Sequence, residues 1–139
     1  MGPSVQTGGE ATGPADELLD LLIRHTTAWN NHDLEELMSL FAEDCIFEAS
    51  GGDEVCGTRV AGHAEVEKAF EGVLESMPDA HWGGSRHYAL GPHYGVSEWT
   101  LTGTLADGRR LEVNGCDFLQ VRDGKIVLKN SYRKQRPAV

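Results

Sequence analysis

Hydrophobic residues recur every three or four positions in the first half of the chain, which is the spacing of helices with one buried face. From residue 14 this spacing predicts a first helix with buried positions Leu18, Leu19, Leu22, Ile23, Thr26 and Trp29. The polar run "NNHD" ends it, and Asp33 is placed to cap a second helix in "LEELMSLF". The stretch "HAEVEKAFEGVLESM" predicts a third helix, which Pro78 terminates. Its inward positions are Val66, Ala69, Phe70, Val73 and Leu74.

Strand patterns make up the rest of the chain. Between the second and third helices, "AEDCIFEAS" and "VCGTRVAG" predict two short strands. After Pro78, four alternating runs at about 80–90, 93–105, 109–121 and 125–134 are separated by "GPHYG", "ADGR" and "RDGK", which are typical of hairpin turns. Three helices followed by an antiparallel meander predict an α+β fold. We expect the curved sheet to wrap around the helices as a cone with a cavity at its open end.

The strand at 109–121 carries a carboxylate on its more apolar face. That face consists of Leu111, Val113, Gly115, Asp117, Leu119 and Val121. An ionised carboxylate in such surroundings is costly unless it is paired or protonated. Burial raises the pKa of a carboxyl group, which suits a general base or acid that works near neutral pH. The alternative is that Asp117 is held by backbone hydrogen bonds or pairs with an arginine such as Arg86.

Length, net charge and cysteine content limit the number of domains, the classes of binding partner and the cellular compartment that we expect. The 139 residues suit a single domain, expected over residues 15–135, with a disordered leader at 1–14 and a tail at 136–139. A net charge of −10 argues against nucleic acid and anionic membranes as partners. Three cysteines without CxxC spacing suit buried free thiols in a reducing compartment. The start lacks the features of a signal peptide, so we expect a cytoplasmic protein.

Histidines supply further candidate chemistry. His25 lies on the buried side of the first helix, four residues before Trp29, where it would polarise a carbonyl, shuttle a proton or merely complete the core. His81, His87 and His93 share one parity, but six-residue steps separate strand positions by about 20 Å, so no metal site is expected. His87 alone is a candidate for the cavity wall.

Aromatic and amide side chains are expected to line the cavity. Trp29, Trp82 and Trp99 suit either the core or the wall around an apolar ligand with a ring. Asn130 and Tyr132 share parity with Ile126 and Leu128, which predicts that both reach the cavity and orient a ligand.

The opposite face of the sheet has a polar pattern. Glu98 and Asn114 share parity with polar neighbours on their strands, which is typical of a dimer surface or a solvated face.

Two stretches of the sequence resemble a known family. "AWNNHDLEELMSLFAEDCIFEA" resembles the opening of the SnoaL-like polyketide cyclases and ketosteroid isomerases of the nuclear transport factor 2-like superfamily. "WTLTGT" and then "GCDFLQVRDGKIVLKNSY" resemble the closing half of the same fold, so the resemblance spans roughly residues 15–135. It implies the cone-shaped fold and a homodimer through the outer face of the sheet. Because the superfamily hosts several reactions and also members without catalysis, the fold does not decide the function.

The catalytic positions of the enzymes that this chain resembles can be compared with its residues one at a time. The cyclases place a general-base aspartate just before "DGKI", where Asp117 stands. Steroid isomerases have their base after the first strand, where this chain has Ala49, and an oxyanion tyrosine where it has His25. Epoxide hydrolases have an aspartate in the last strand, where this chain has Ser131.

The leading hypothesis is a cofactor-independent cyclase or isomerase for a small, apolar carbonyl compound. In it Asp117 removes a proton next to the carbonyl, His25 or His87 donates a hydrogen bond to the enolate oxygen, and Trp29 and Tyr132 hold the ring system. A binding or dimerisation module without catalysis is the alternative, and a dehydratase or epoxide hydrolase is a further one.

Overall fold

The computed structural model describes residues 4–6 and 14–139, and three helices and seven strands occur within them. In chain order these are β1 (Ser4–Gln6), α1 (Pro14–Asn30), α2 (Leu34–Ser39), β2 (Phe41–Glu48), β3 (Arg59–Ala61), α3 (His63–Ser76), β4 (His81–Ala89), β5 (Tyr94–Thr104), β6 (Arg110–Arg122) and β7 (Lys125–Arg133). The leader predicted over residues 1–14 lies outside the described residues, apart from β1 and the first residue of α1.

The helices begin and end where local sequence signals predict. Pro14 opens α1, where its missing N–H is not needed, and acidic residues follow in the first turn. The chain reverses at His32, whose φ of 53° is left-handed. Asp33 caps α2 as predicted, because its carboxylate accepts a hydrogen bond from the Glu36 N–H at 3.0 Å. Helix α3 buries Val66 and Phe70 as its pattern indicates.

The strands form one mostly antiparallel sheet in the order β1-β4-β5-β6-β7-β2-β3 among the described residues. The β2–β7 pair is parallel, and the other neighbours are antiparallel. The four long strands lie within a residue or so of their predicted bounds. A two-residue turn joins β6 to β7, and both Asp123 and Gly124 have positive φ, at 51° and 75°.

The α+β prediction is confirmed: helices pack on one face of the curved sheet. Helix α1 packs against β4 and β5, and α3 packs against β2. Their apolar faces bury Leu19, Leu22 and Phe70 almost completely. The cysteines are free thiols, of which Cys45 is buried and the other two are partly exposed. No helix within the described residues has the length and apolarity that a membrane span needs.

A bulge in β7 determines which of its side chains face the helices. Val121 of β6 pairs with Ile126, but the preceding Gln120 pairs with Leu128, so β7 holds one extra residue, Val127. Because side chains alternate along a strand, this extra residue reverses the parity of everything after it. Beyond the bulge Lys129 is buried.

The bulge makes the predicted inward orientation of Asn130 and Tyr132 wrong. Tyr132 is 54% exposed on the outer face, and its hydroxyl accepts a hydrogen bond from the Asn130 amide at 3.3 Å. Beyond the bulge, the inward positions of β7 are therefore the odd-numbered ones. On the neighbouring strands the parity prediction is right, since Glu98 and Asn114 are exposed and Asp117 is buried.

Candidate functional site

A buried ion pair between β6 and β7 forms the centre of the candidate site. The Lys129 ammonium lies 3.1 Å from Asp117 Oδ2, and the two side chains are 7% and 5% exposed. Trp99 Nε1 donates to the same oxygen at 3.0 Å, and Ser131 Oγ donates to the other oxygen at 2.5 Å. The prediction that Asp117 pairs with a cation is therefore correct, but the cation is Lys129. The partner suggested from the sequence, Arg86, is exposed on β4.

The ion pair keeps Asp117 ionised. Burial acts to raise its pKa, but the charge of Lys129, together with further interactions that include the hydrogen bonds from Ser131 and Lys129, lowers the pKa below the ordinary value of 3.8. A buried carboxylate does not therefore have the raised pKa that its apolar surroundings suggest. Asp117 is an acceptor at all pH values near neutrality, and it is a weaker base than an unpaired buried carboxylate.

His25 lies behind the ion pair and helps to hold the lysine. Trp29 Nε1 donates to His25 Nε2 at 3.2 Å, and Lys129 Nζ lies 3.3 Å from the same nitrogen. An indole N–H only donates, so Nε2 carries the lone pair and Nδ1 carries the proton. Burial, followed by the charge of Lys129, lowers the pKa of His25 well below 6.5, so the ring is neutral. The histidine thus positions the ammonium as an acceptor.

Aromatic rings complete the surroundings of Lys129. Its ammonium lies 5.2 Å from the ring centre of Trp29 and 5.9 Å from that of Phe70. Both distances are within the range of cation–π attraction, which partly replaces the water that the ammonium loses on burial. The buried charge is therefore compensated on several sides.

A cavity of about 200 Å³ adjoins the ion pair. All three tryptophans of the chain line it, with other apolar residues: Trp29, Trp82, Trp99, Phe47, Val73 and Ala49. Its polar residues are Ser50, Asp117, Lys129, Ser131 and Arg133. Asp117 is the one carboxylate among these described lining residues. The volume is below the roughly 300 Å³ at the lower end of typical ligand pockets, so the cavity suits a small ligand.

Gly115 provides the space that Trp99 needs at this wall. The two residues are register partners on β6 and β5. A Cβ on Gly115 would clash with the Trp99 ring, which would be 2.5 Å away, and with the backbone oxygen of Tyr132. A glycine inside a strand often marks such a close approach. The absent side chain lets the indole lie across β6 and donate to Asp117.

The two histidines predicted to donate a hydrogen bond to the enolate oxygen are buried elsewhere. His25 Nε2 contacts Trp29 and Lys129, and His87 Nδ1 lies 2.8 Å from Ser97 Oγ, between β4 and β5. Neither belongs to the cavity wall, so the prediction that they reach it is wrong. The helical and strand periods indicate which residues are buried, but not whether they adjoin a void. Within the described residues, no three His, Cys, Asp or Glu side chains group as they would around a metal ion.

Three polar residues of the wall were missed from the sequence. Lys129, Ser131 and Arg133 stand on the odd positions of β7, which the bulge turns inward. One signal was available: "IVLKN" places a lysine after three apolar residues, in the strand that pairs with Asp117. A buried aspartate needs such a cation.

Acidification is expected to destabilise the fold below about pH 6.5. Burial lowers the pKa of both His25 and His87 below the ordinary value of 6.5. The unfolded chain then binds more protons than the native one. The contribution of the two histidines to the free energy of unfolding is therefore fully present above pH 6.5, and it is lost as the pH drops toward the native pKa values. Each histidine contributes at most about 1.4 kcal/mol per pH unit to this slope. Urea unfolding at pH 7.5, 6.5 and 5.5 measures it.

A matched pair of variants separates this effect from general acid sensitivity. His87→Gln is expected to reduce the slope, whereas His93→Gln, at an exposed position, should leave it unchanged. Equal stability of the unmodified protein at pH 7.5 and 5.5 would contradict the prediction.

The sequence and fold comparisons define the family. Residues 22–129 match the SnoaL-like domain, so the chain belongs to this family. No curated protein sequence resembles the chain closely enough to count as a relative.

Solved structures with the same fold have low sequence identity. A protein from Xanthomonas campestris pv. campestris, provisionally named a polyketide cyclase, is 19% identical with a TM-score of 0.78, over 86% of this chain and 92% of that one. A phenazine biosynthesis-related protein from Pseudomonas aeruginosa is 16% identical with a TM-score of 0.75, over 87% and 81%. A nuclear transport factor 2-like protein from Burkholderia xenovorans LB400 is 18% identical with a TM-score of 0.71, over 85% and 89%. At such identities they establish the fold alone.

Proposed function

We propose that this SnoaL-like protein is a cofactor-independent cyclase or isomerase that moves a proton on a small, largely apolar carbonyl compound. One observation carries the proposal: the one carboxylate among the described cavity-lining residues is paired with a lysine, in a cavity that three tryptophans line. A fixed anion beside a fixed cation in an apolar cavity suits proton abstraction next to a carbonyl, because both developing charges meet an oriented partner.

Asp117 has the hydrogen-bonding capacity for the role of base. An ionised carboxylate offers about four acceptor sites. Trp99, Lys129 and Ser131 occupy three of them, which leaves one for a substrate proton. The three donors also fix the orientation of the carboxylate, so that little reorganisation accompanies the reaction.

Lys129 takes the electrophilic role that the sequence suggested for a histidine. In the proposed step the C–H proton passes to Asp117, and the bonding electrons move onto the carbonyl oxygen to form an enolate. Lys129 stabilises that oxygen with its charge, an effect worth roughly 3–4 kcal/mol for a well-aimed donor. The protonated Asp117 then returns the proton to another carbon. Alternatively, the enolate attacks a second carbonyl and closes a ring, and the alkoxide that forms takes the proton back from Asp117.

A binding module without catalysis is the second candidate. The observation in its favour is that Asp117 is already engaged by three donors and has a lowered pKa, which makes it a weak base. Such a network also rigidifies a pocket that only binds. Ala49 and Ser131, at the positions where related enzymes have further acidic residues, give it additional support.

Deuterium exchange tests the proposal without knowledge of the natural substrate. The protein is incubated in D₂O with 2-indanone and with phenylpyruvate, and the deuterium next to the carbonyl is measured by NMR. We expect exchange above the buffer rate, and we expect Ala49→Phe, which fills the cavity, to abolish it. Ala106→Phe in an exposed turn is the control. Binding of a ketone without exchange would favour the binding module.

We further propose that the protein forms a homodimer through the outer face of its sheet. Tyr94, Phe118 and Tyr132 form an aromatic cluster there, with ring centres 6.2 and 5.5 Å apart. Tyr132 is 54% exposed, so its burial against a second copy would be favourable. Sedimentation equilibrium is expected to give a dimer that Phe118→Asp dissociates, and a monomeric unmodified protein would contradict this.

A further inference from the structure

Arg133 is the one charged residue of the cavity wall that the proposed proton transfer does not use. It is the last residue of β7, and it pairs in register with Gly115. Its Nε is buried without a hydrogen-bond partner. Within the described residues no carboxylate lies within ion-pair distance of its guanidinium. A buried donor without an acceptor is uncommon and calls for an explanation.

Among the described charged residues of the cavity lining, Arg133 has no ion-pair partner of its own. Asp117 and Lys129 neutralise each other, and His25 behind them is neutral. The guanidinium retains its charge under all ordinary conditions. The lining therefore carries a net charge of about +1, within a chain whose net charge is −10. A local positive charge inside a strongly acidic protein is not a consequence of overall composition.

We propose that Arg133 is the anchor for a carboxylate group on the ligand, so that the site takes a small aromatic or cyclic acid with a carbonyl group. A carboxylate has the single charge that the cavity lacks, and its plane matches the fork of a guanidinium. The pairing of Asp117 with Lys129 limits repulsion of the incoming anion. The tryptophan walls contact the apolar ring. The carbonyl group in this inference rests on the proposed function. The carboxylate group is inferred from Arg133 alone.

A binding experiment with two matched probes tests the carboxylate site. Benzoate and benzamide have nearly the same shape and differ in charge. Because all three tryptophans of the chain line the cavity, quenching of intrinsic fluorescence reports on occupancy. We expect benzoate to bind at least tenfold more tightly than benzamide, a ratio that corresponds to about 1.4 kcal/mol. Equal affinities, or no benzoate binding by the unmodified protein, would overturn the proposal.

Variants of Arg133 identify the group that distinguishes the probes. Arg133→Gln is expected to abolish the preference for benzoate, and Arg133→Lys to retain part of it, because the charge remains but the fork is lost. Arg109→Gln removes an exposed arginine of the β5–β6 turn and changes the net charge equally, so it should behave as the unmodified protein. A benzoate preference that survives in Arg133→Gln would also overturn the proposal. If that variant unfolds, the affinities of benzoate and benzamide for the unmodified protein still test the proposal.

The failure of this inference is distinguishable from the failure of the proposed function. Exchange of deuterium into 2-indanone, a neutral ketone, needs no carboxylate on the substrate. Exchange without a benzoate preference leaves the proton transfer in place and removes the anion site. A benzoate preference without any exchange leaves a carboxylate-binding module.

Discussion

Replacing Asp117 with asparagine is expected to lower the rate of deuterium exchange roughly 10²- to 10⁴-fold, the range that a positioned base contributes. The amide has nearly the same size as the carboxylate, and its oxygen still accepts from Trp99 or Ser131, but it takes no proton from a carbon acid. The rate should be compared per folded molecule, measured by NMR with the same ketones.

A surface aspartate provides the control for this substitution. Asp107→Asn changes the net charge equally in a turn where the side chain is 53% exposed, and it should leave exchange unaffected. An Asp117→Asn protein that exchanges at the unmodified rate would remove Asp117 from the chemistry.

Replacing Lys129 with methionine is expected to lower the free energy of unfolding by about 3–5 kcal/mol, because it leaves Asp117 buried without its partner. Methionine fills most of the space of the lysine stem, so a cavity contributes little to the loss. The variant should also raise the pKa of Asp117, since it removes the largest of the interactions that lower this pKa. Urea unfolding at pH 7.5 measures the change.

The double variant isolates the ion pair. Adding Asp117→Asn to Lys129→Met removes both buried charges, and we expect it to recover much of the stability lost in the single variant. Lys68→Met, at an exposed lysine of α3, is the control and should cost well under 1 kcal/mol. A single Lys129→Met protein as stable as this control would mean that the pair is not buried as described.

The helices, the hairpins and the inward position of Asp117 follow from local sequence signals. Asp33 caps α2 because its carboxylate satisfies a free N–H, which depends on a few neighbouring residues. Asp123 and Gly124 define the β6–β7 turn for a similarly local reason. Asp117 faces inward because no bulge interrupts the alternation of β6 between Gly115 and Leu119.

The other half of the site depends on tertiary structure. The bulge at Val127 has no glycine or proline to mark it, so simple alternation predicted an inward Tyr132 and failed to find Lys129 and Arg133. The burial of His25 was predictable from the helical period, but its position behind Lys129 depends on how α1 packs on the sheet. A partner for a buried carboxylate is required by electrostatics, yet its identity depends on register.

The ionisation of Asp117 in the folded protein is the most direct test of the central claim, that a lysine holds an ionised base at the cavity wall. Carbon-13 NMR of the side-chain carboxyl, assigned with the Asp117→Asn variant, measures it between pH 7.5 and 5. We predict a carboxylate signal that stays constant over the whole range, since the pKa lies below 3.8. A signal that titrates within this range, or that is already neutral at pH 7.5, would contradict the ion pair and the role of Asp117 as base.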